Sequence, residues 1–82
     1  MSILLAEGNP IHRRFARQLF DQHFPDDGPV LEVTAGAAAV QRALTERPGL
    51  VVVDMDLPEV HGVEVARQIW VHAPDTKIIF WA

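Results

Sequence analysis

The sequence predicts an α/β domain built on a doubly wound parallel sheet. Short apolar runs alternate with stretches of helical periodicity, and proline or glycine marks most of the boundaries. Acidic residues follow two of the apolar runs directly. Alternation of this kind gives parallel strands with helices on both faces.

The first run, Ile3 to Ala6, stops at Glu7-Gly8-Asn9-Pro10 and reads as a short buried strand. Asn9 followed by Pro10 starts a helix, because asparagine caps and proline suits the first helical position. Ile11, Phe15 and Leu19 then recur at every fourth position, with Ala16 and Phe20 beside them. They form one apolar helix face, with Arg13, Arg14 and Arg17 pointing elsewhere. Pro25 ends this helix. After an Asp27-Gly28-Pro29 turn, Val30, Leu31 and Val33 make a second strand. Ala37 to Arg47 is alanine-rich and favours helix, with Val40, Ala43 and Leu44 on one face and the alanines at 37 to 39 set for close packing on the sheet. Pro48-Gly49 terminates it.

Leu50 to Val53 is the clearest buried strand, and it ends in Asp54. A polar loop follows through Pro58. Gly62 to His72 carries Val63, Ala66, Ile69 and Trp70 at helical spacing. Trp70 reads as a packing residue rather than a cofactor contact. Ala73-Pro74-Asp75 breaks the helix, and Lys77 to Trp81 is a last strand.

With 82 residues the chain holds one domain at most. A chain this short buries only about 60–65% of its unfolded surface, so modest stability is expected. It has no cysteine, which excludes disulfides and cysteine–zinc chemistry. The formal charge is −4, and the single basic cluster, Arg13, Arg14 and Arg17, is too small to argue for nucleic-acid binding. No apolar run suits a membrane span, and the first residues lack the pattern of a signal peptide. A cytoplasmic protein is expected.

In open parallel sheets, ligands bind beyond the carboxyl ends of the strands, where strand order reverses. Glu7 follows the first strand, and Asp54 and Asp56 follow the third. Taken singly, each acid reads as well as a strand terminator or a solvated loop residue. Together, carboxylates at a switch point suit Mg²⁺ and phosphate. A carboxylate can also attack phosphorus and form an acyl phosphate, with the metal neutralising charge during transfer.

Three segments carry a resemblance. Ile3-Leu4-Leu5-Ala6-Glu7-Gly8-Asn9-Pro10 resembles the opening of bacterial response-regulator receiver domains, where an apolar strand runs into an acidic pair. Leu50-Val51-Val52-Val53-Asp54-Met55-Asp56-Leu57-Pro58-Glu59-Val60-His61-Gly62 is similar to their phosphoacceptor segment. Ala73-Pro74-Asp75-Thr76-Lys77-Ile78-Ile79-Phe80-Trp81-Ala82 resembles the approach to the fourth strand and the strand itself.

The resemblance implies a flavodoxin-like receiver over residues 1–82, with strand order 2-1-3-4 and without the fifth strand and last helices. It makes Asp54 the phosphoacceptor, Glu7 and Asp54 metal ligands, and Asp56 a ligand through its backbone carbonyl. Pro58 and Gly62 shape the loop. The implied partners are a histidine kinase or phosphotransfer protein and an output domain outside this chain, of the helix-turn-helix type that most such relatives carry. The domain itself is not expected to be an enzyme.

Three departures bear on this. Gly8 stands where a second acid would hold the metal, so Mg²⁺ is expected to bind weakly. Trp81 stands where a serine or threonine would bond the phosphoryl group. The loop before a fifth strand, which would carry a lysine, is not in the sequence, and Lys77 is at the wrong end of its strand to replace it. The run Ile78-Ile79-Phe80-Trp81 is therefore expected to form an open, self-associating edge.

Two alternatives stay open. One is a degenerate receiver acting as a phosphate-independent interaction or dimerisation domain. The other is a fragment of a haloacid-dehalogenase-type phosphatase, in which Asp54 would be the nucleophile and Asp56 the general acid; Pro58 and the short remaining chain count against it. A calcium loop fails at Pro58 and Glu59. His12, His23, His61 and His72 show no ligand spacing and read as surface residues.

Overall fold

Branched apolar side chains suit the strands of a parallel sheet because both of its faces are covered. A computed structural model of the chain describes residues 2–26 and 28–81. Its elements are β1 (Ile3–Ala6), α1 (Pro10–His23), β2 (Val30–Val33), α2 (Gly36–Glu46), β3 (Leu50–Asp54), α3 (Gly62–His72) and β4 (Lys77–Trp81). Asp27 of the expected turn and Ala82 of the fourth-strand segment lie outside the described residues, as does Met1.

The four strands form one parallel sheet in the order β2-β1-β3-β4. Their register is in step: Leu5 pairs with Glu32 on one side and Val52 on the other, and Val52 pairs with Ile79. Side chains alternate between faces along each strand. Leu4, Ala6, Val51 and Val53 therefore meet Ala39 and Ala43 of α2 and Val65 and Ile69 of α3 in one core. Ile3, Leu5 and Val52 meet Ala16 of α1 on the opposite face.

The apolar residues of α1 are not arranged as the periodicity suggested. Ala16 is buried and Phe20 packs on the sheet, whereas Ile11 and Phe15 are 75% and 59% exposed and Leu19 is at the margin. On β2, Glu32 accepts a 2.7 Å hydrogen bond from Arg17 Nη1 and lies 3.5 Å from Arg13 Nε, so the arginine side of the helix faces that edge. Small Ala16 then sits over the strands, and the 11-15-19 stripe turns aside. On α3, likewise, Val65, Ala66 and Ile69 are buried while Val63 and Trp70 are exposed. Trp70 still packs locally, its indole donating to Thr76 O at 3.1 Å. Of the three alanines at 37 to 39, only Ala39 is buried.

The β3–α3 loop is closed by main-chain bonds. Gly62 N donates to Met55 O, Gly36 N to Pro58 O, both at 3.0 Å, and Val60 N to Pro58 O at 2.8 Å. Gly62 has to be glycine for space: a Cβ there would lie 2.5 Å from Asp54 O and 2.7 Å from Met55 Cα. Gly62→Ala is expected to destabilise the domain by about 2 kcal/mol or more, in the range of over-packed sites and against the helical preference for alanine. Gly8→Ala, whose Cβ would meet nothing nearer than Pro58 Cδ at 3.1 Å, serves as the control and should change stability far less. Urea unfolding midpoints of the two variants check this; equal losses would show that the Gly62 contact is readily relaxed.

Candidate functional site

Because the strands are in step, alternation carries Glu7, Asp54 and Trp81 to the α1 face at the carboxyl ends of β1, β3 and β4. Glu7 continues the ladder beyond β1, its N–H donating to Val33 O at 3.1 Å. Its side chain is buried, with only 1% of the residue exposed. A carboxylate in that position needs donors, and it has two. Asn9 N–H donates to Oε1 at 3.0 Å, and the Trp81 indole N–H donates to Oε2 at 2.8 Å. His12 Nδ1 lies 3.9 Å from Oε1. Arg13 reaches only the main chain, Nη1 donating to Glu7 O at 3.1 Å.

Asn9 also starts α1. Its side-chain oxygen accepts from Ile11 N at 2.8 Å and His12 N at 3.2 Å, an N-cap that satisfies two free helix-end donors. One residue thus fixes both the Glu7 carboxylate and the first turn that carries His12 over the strand ends.

Asp54 ends β3 half-buried. Its Oδ1 accepts from Asp56 N at 3.0 Å. Among the described residues Oδ2 has no hydrogen-bond partner. Trp81 is the register partner of Asp54, and Met55 N donates to Trp81 O at 3.0 Å, so the β3–β4 ladder runs on past the strand ends. Glu7, Asn9, His12, Phe15, Asp54, Asp56 and Trp81 line one open cleft of about 340 Å³.

The structure brings together the three acids the sequence singled out, Glu7, Asp54 and Asp56. Gly8 is not in the lining; a side chain there would begin against Pro58. His12, read as a surface residue, is exposed yet belongs to the cleft wall. The Asn9-Pro10 helix start was the signal that could have placed it. His61 acts structurally: its Nδ1 accepts from Val63 N at 3.3 Å and caps α3. Glu64 and Arg67 of α3 form an exposed pair outside the cleft, and hydrogen bonding from Arg67 holds the Glu64 carboxyl below its ordinary range.

Among the described residues, no group of three or more acidic or histidine side chains converges as a metal cluster. Mg²⁺ usually takes only one or two carboxylates and keeps several waters. Asp54, with its unpartnered oxygen, therefore fits such an ion in part, while both Glu7 oxygens are already engaged by N–H donors. No described helix is long and apolar enough to cross a membrane.

A parallel 2-1-3-4 sheet with carboxylates at the ends of its two central strands defines a flavodoxin-like domain with a site at its switch point. The chain belongs to the response regulator receiver domain family, which it matches over residues 3–82. It is 35% identical over 86 aligned positions to the transcriptional activator protein ExaE of Pseudomonas putida, covering all of this chain and 38% of that protein. It is 27% identical to protein-glutamate methylesterase/protein-glutamine glutaminase 2 of Carboxydothermus hydrogenoformans, covering 94% of this chain and 22% of the relative. The crystal structure of the response regulator domain of Thermotoga maritima CheB superposes with a TM-score of 0.84 at 22% identity, covering 98% of this chain and 58% of that one. The chain thus spans well under half the length of these curated relatives.

Glu7→Gln is expected to destabilise the domain by about 1–3 kcal/mol, because the amide would turn an N–H₂ group toward a donor and leave a buried polar atom unpaired. Chemical denaturation of both proteins at neutral pH measures this. An unchanged midpoint would mean that the Asn9 and Trp81 donors do not require an ionised partner.

Proposed function

We propose that this domain receives a phosphoryl group on Asp54 from a histidine kinase or a phosphotransfer protein. It passes the resulting change to an output domain outside the chain, a DNA-binding transcription regulator, a reading supported by relatives that are transcriptional activators, ExaE among them. The single observation that carries this reading is Asp54 itself: it closes β3 at the switch point, lines the cleft, and has one carboxylate oxygen held by Asp56 N and the other unpartnered among the described residues.

The chemistry requires little covalent help from the domain. An Asp54 oxygen forms the new bond to phosphorus as the bond from phosphorus to the donor breaks, leaving a mixed anhydride. Asp56 N–H orients the carboxylate through Oδ1. Mg²⁺, held by Asp54, the Asp56 backbone carbonyl, water and Glu7, would supply neutralisation of the developing charge. The domain would act as phosphoryl acceptor and signal relay rather than as an enzyme.

A second reading is a receiver that works without phosphate, as an interaction or dimerisation domain. The Trp81–Glu7 hydrogen bond favours it, since it satisfies a cleft carboxylate without a cation. Membership of the receiver family sets the dehalogenase-type phosphatase aside.

The two readings separate on labelling. With Mg²⁺ and a small phosphodonor, the domain should gain one acid-stable, base-labile phosphoryl group by mass, and Asp54→Asn should gain none. Asp56→Asn should label normally, because only its backbone is used. Labelling that persists in Asp54→Asn, or is never seen in the natural protein, would remove Asp54 as acceptor.

The sheet edge suggests a further interaction. Among the described residues β4 pairs only with β3, and Ile79 and Phe80 on it are exposed, as is the Ile11-Phe15 stripe of α1. An open apolar edge of this kind favours pairing with another chain. Residues 1–82 alone are expected to self-associate, with apparent mass rising with concentration in sedimentation experiments. A stable monomer at high concentration would show that the edge is protected in another way.

A further inference from the structure

The buried Glu7 carboxylate is compensated by neutral N–H groups. Among the described residues the only ionisable side chain in ion-pair range of it is His12, with Nδ1 at 3.9 Å. The shorter contact, at 2.8 Å, comes from the Trp81 indole. That indole hangs from β4 directly beside Asp54 on β3, and it packs against the α1-side core. A cation placed between Glu7 and Asp54 would seek the oxygen that the indole already holds.

We propose that Trp81 is an internal competitor of a divalent cation: its indole N–H occupies Glu7 Oε2, so that cation entry into the cleft and the Trp81–Glu7 hydrogen bond exclude each other. This rests on the reading of the cleft as a cation and phosphoryl site. Linkage makes the relation reciprocal. The indole weakens cation binding, and a bound cation releases the indole. Because Trp81 is at the end of β4, loading of the cleft is felt on the sheet edge that carries Ile79 and Phe80.

Trp81→Phe keeps an aromatic ring, though a smaller one, for packing and removes the donor. It should bind Mg²⁺ about tenfold more tightly or better, as expected for release of a carboxylate from one hydrogen bond to a charged group. The natural protein provides a second measurement that needs no substitution. It has two tryptophans, and the Trp70 indole donates to Thr76 O outside the cleft. In ¹H–¹⁵N spectra, Mg²⁺ should shift the indole resonance of Trp81, identified by its loss in Trp81→Phe, and leave that of Trp70 in place. Asp54→Asn, which removes the cleft carboxylate with the unpartnered oxygen, tests the cation site separately. If Asp54→Asn binds Mg²⁺ more weakly than the natural protein while Trp81→Phe matches it, or the Trp81 indole stays fixed at saturating Mg²⁺, the competition is refuted and the cation site stands. If neither the natural protein nor Trp81→Phe binds Mg²⁺, the cation site falls and the competition with it.

Discussion

The in-step register of the parallel sheet is the constraint on which the site depends. Leu5, Val52 and Ile79 share one row across β1, β3 and β4, so the residues two places further on share the next row of the same face. Those residues are Glu7, Asp54 and Trp81. A slip of one residue in either pairing would send one of them to the α2–α3 core, where Leu4, Ala6, Val51 and Val53 leave no room for a polar group. The apolar strands thus specify the cleft indirectly: burying alternate residues on two faces leaves the strand ends a single allowed arrangement.

The second level of order is local. Asn9 couples the Glu7 carboxylate to the N-terminus of α1, and main-chain bonds from Gly36 and Gly62 close the loop after Asp54. Most of the cleft wall is therefore held by backbone geometry rather than by long side chains. Trp81 is different. It packs on the α1-side core and reaches across from β4 to Glu7 by a single side-chain hydrogen bond.

The strands, helix starts and acidic strand ends were legible because each has a local signature: branched apolar runs, Asn-Pro, and Asp54 directly after Val53. The grouping of Glu7, Asp54 and Asp56 followed from their places at strand ends in an open parallel sheet; the strand order followed from the family resemblance, and the structure has the same order. The roll of α1 was not legible. Ile11, Phe15 and Leu19 have the spacing of a buried face, but the ion pairs from Arg13 and Arg17 to Glu32 join residues far apart in the chain, and helical periodicity carries no trace of them. Trp81 was visible only as a departure from a family pattern. Its partnership with Glu7 reaches across β3 from β4 to the end of β1, and a residue type at a strand end does not reveal which neighbour it will meet. His12 was missed for a related reason, since an exposed residue can still form the wall of an open cleft.

The strand order also bears on how the chain reaches this state. Every pairing in the sheet is parallel, so none can form as a local hairpin. β1 meets β3 only after α1, β2 and α2 have been threaded between them, and each crossover must be closed before its contacts contribute. Folding is therefore governed by non-local encounters and is slow relative to a helical bundle of the same size. Throughout that interval the β-branched segment Leu50–Val53 is without its neighbours, so the strand that anchors the finished cleft is also the segment most exposed to mispairing while the domain assembles.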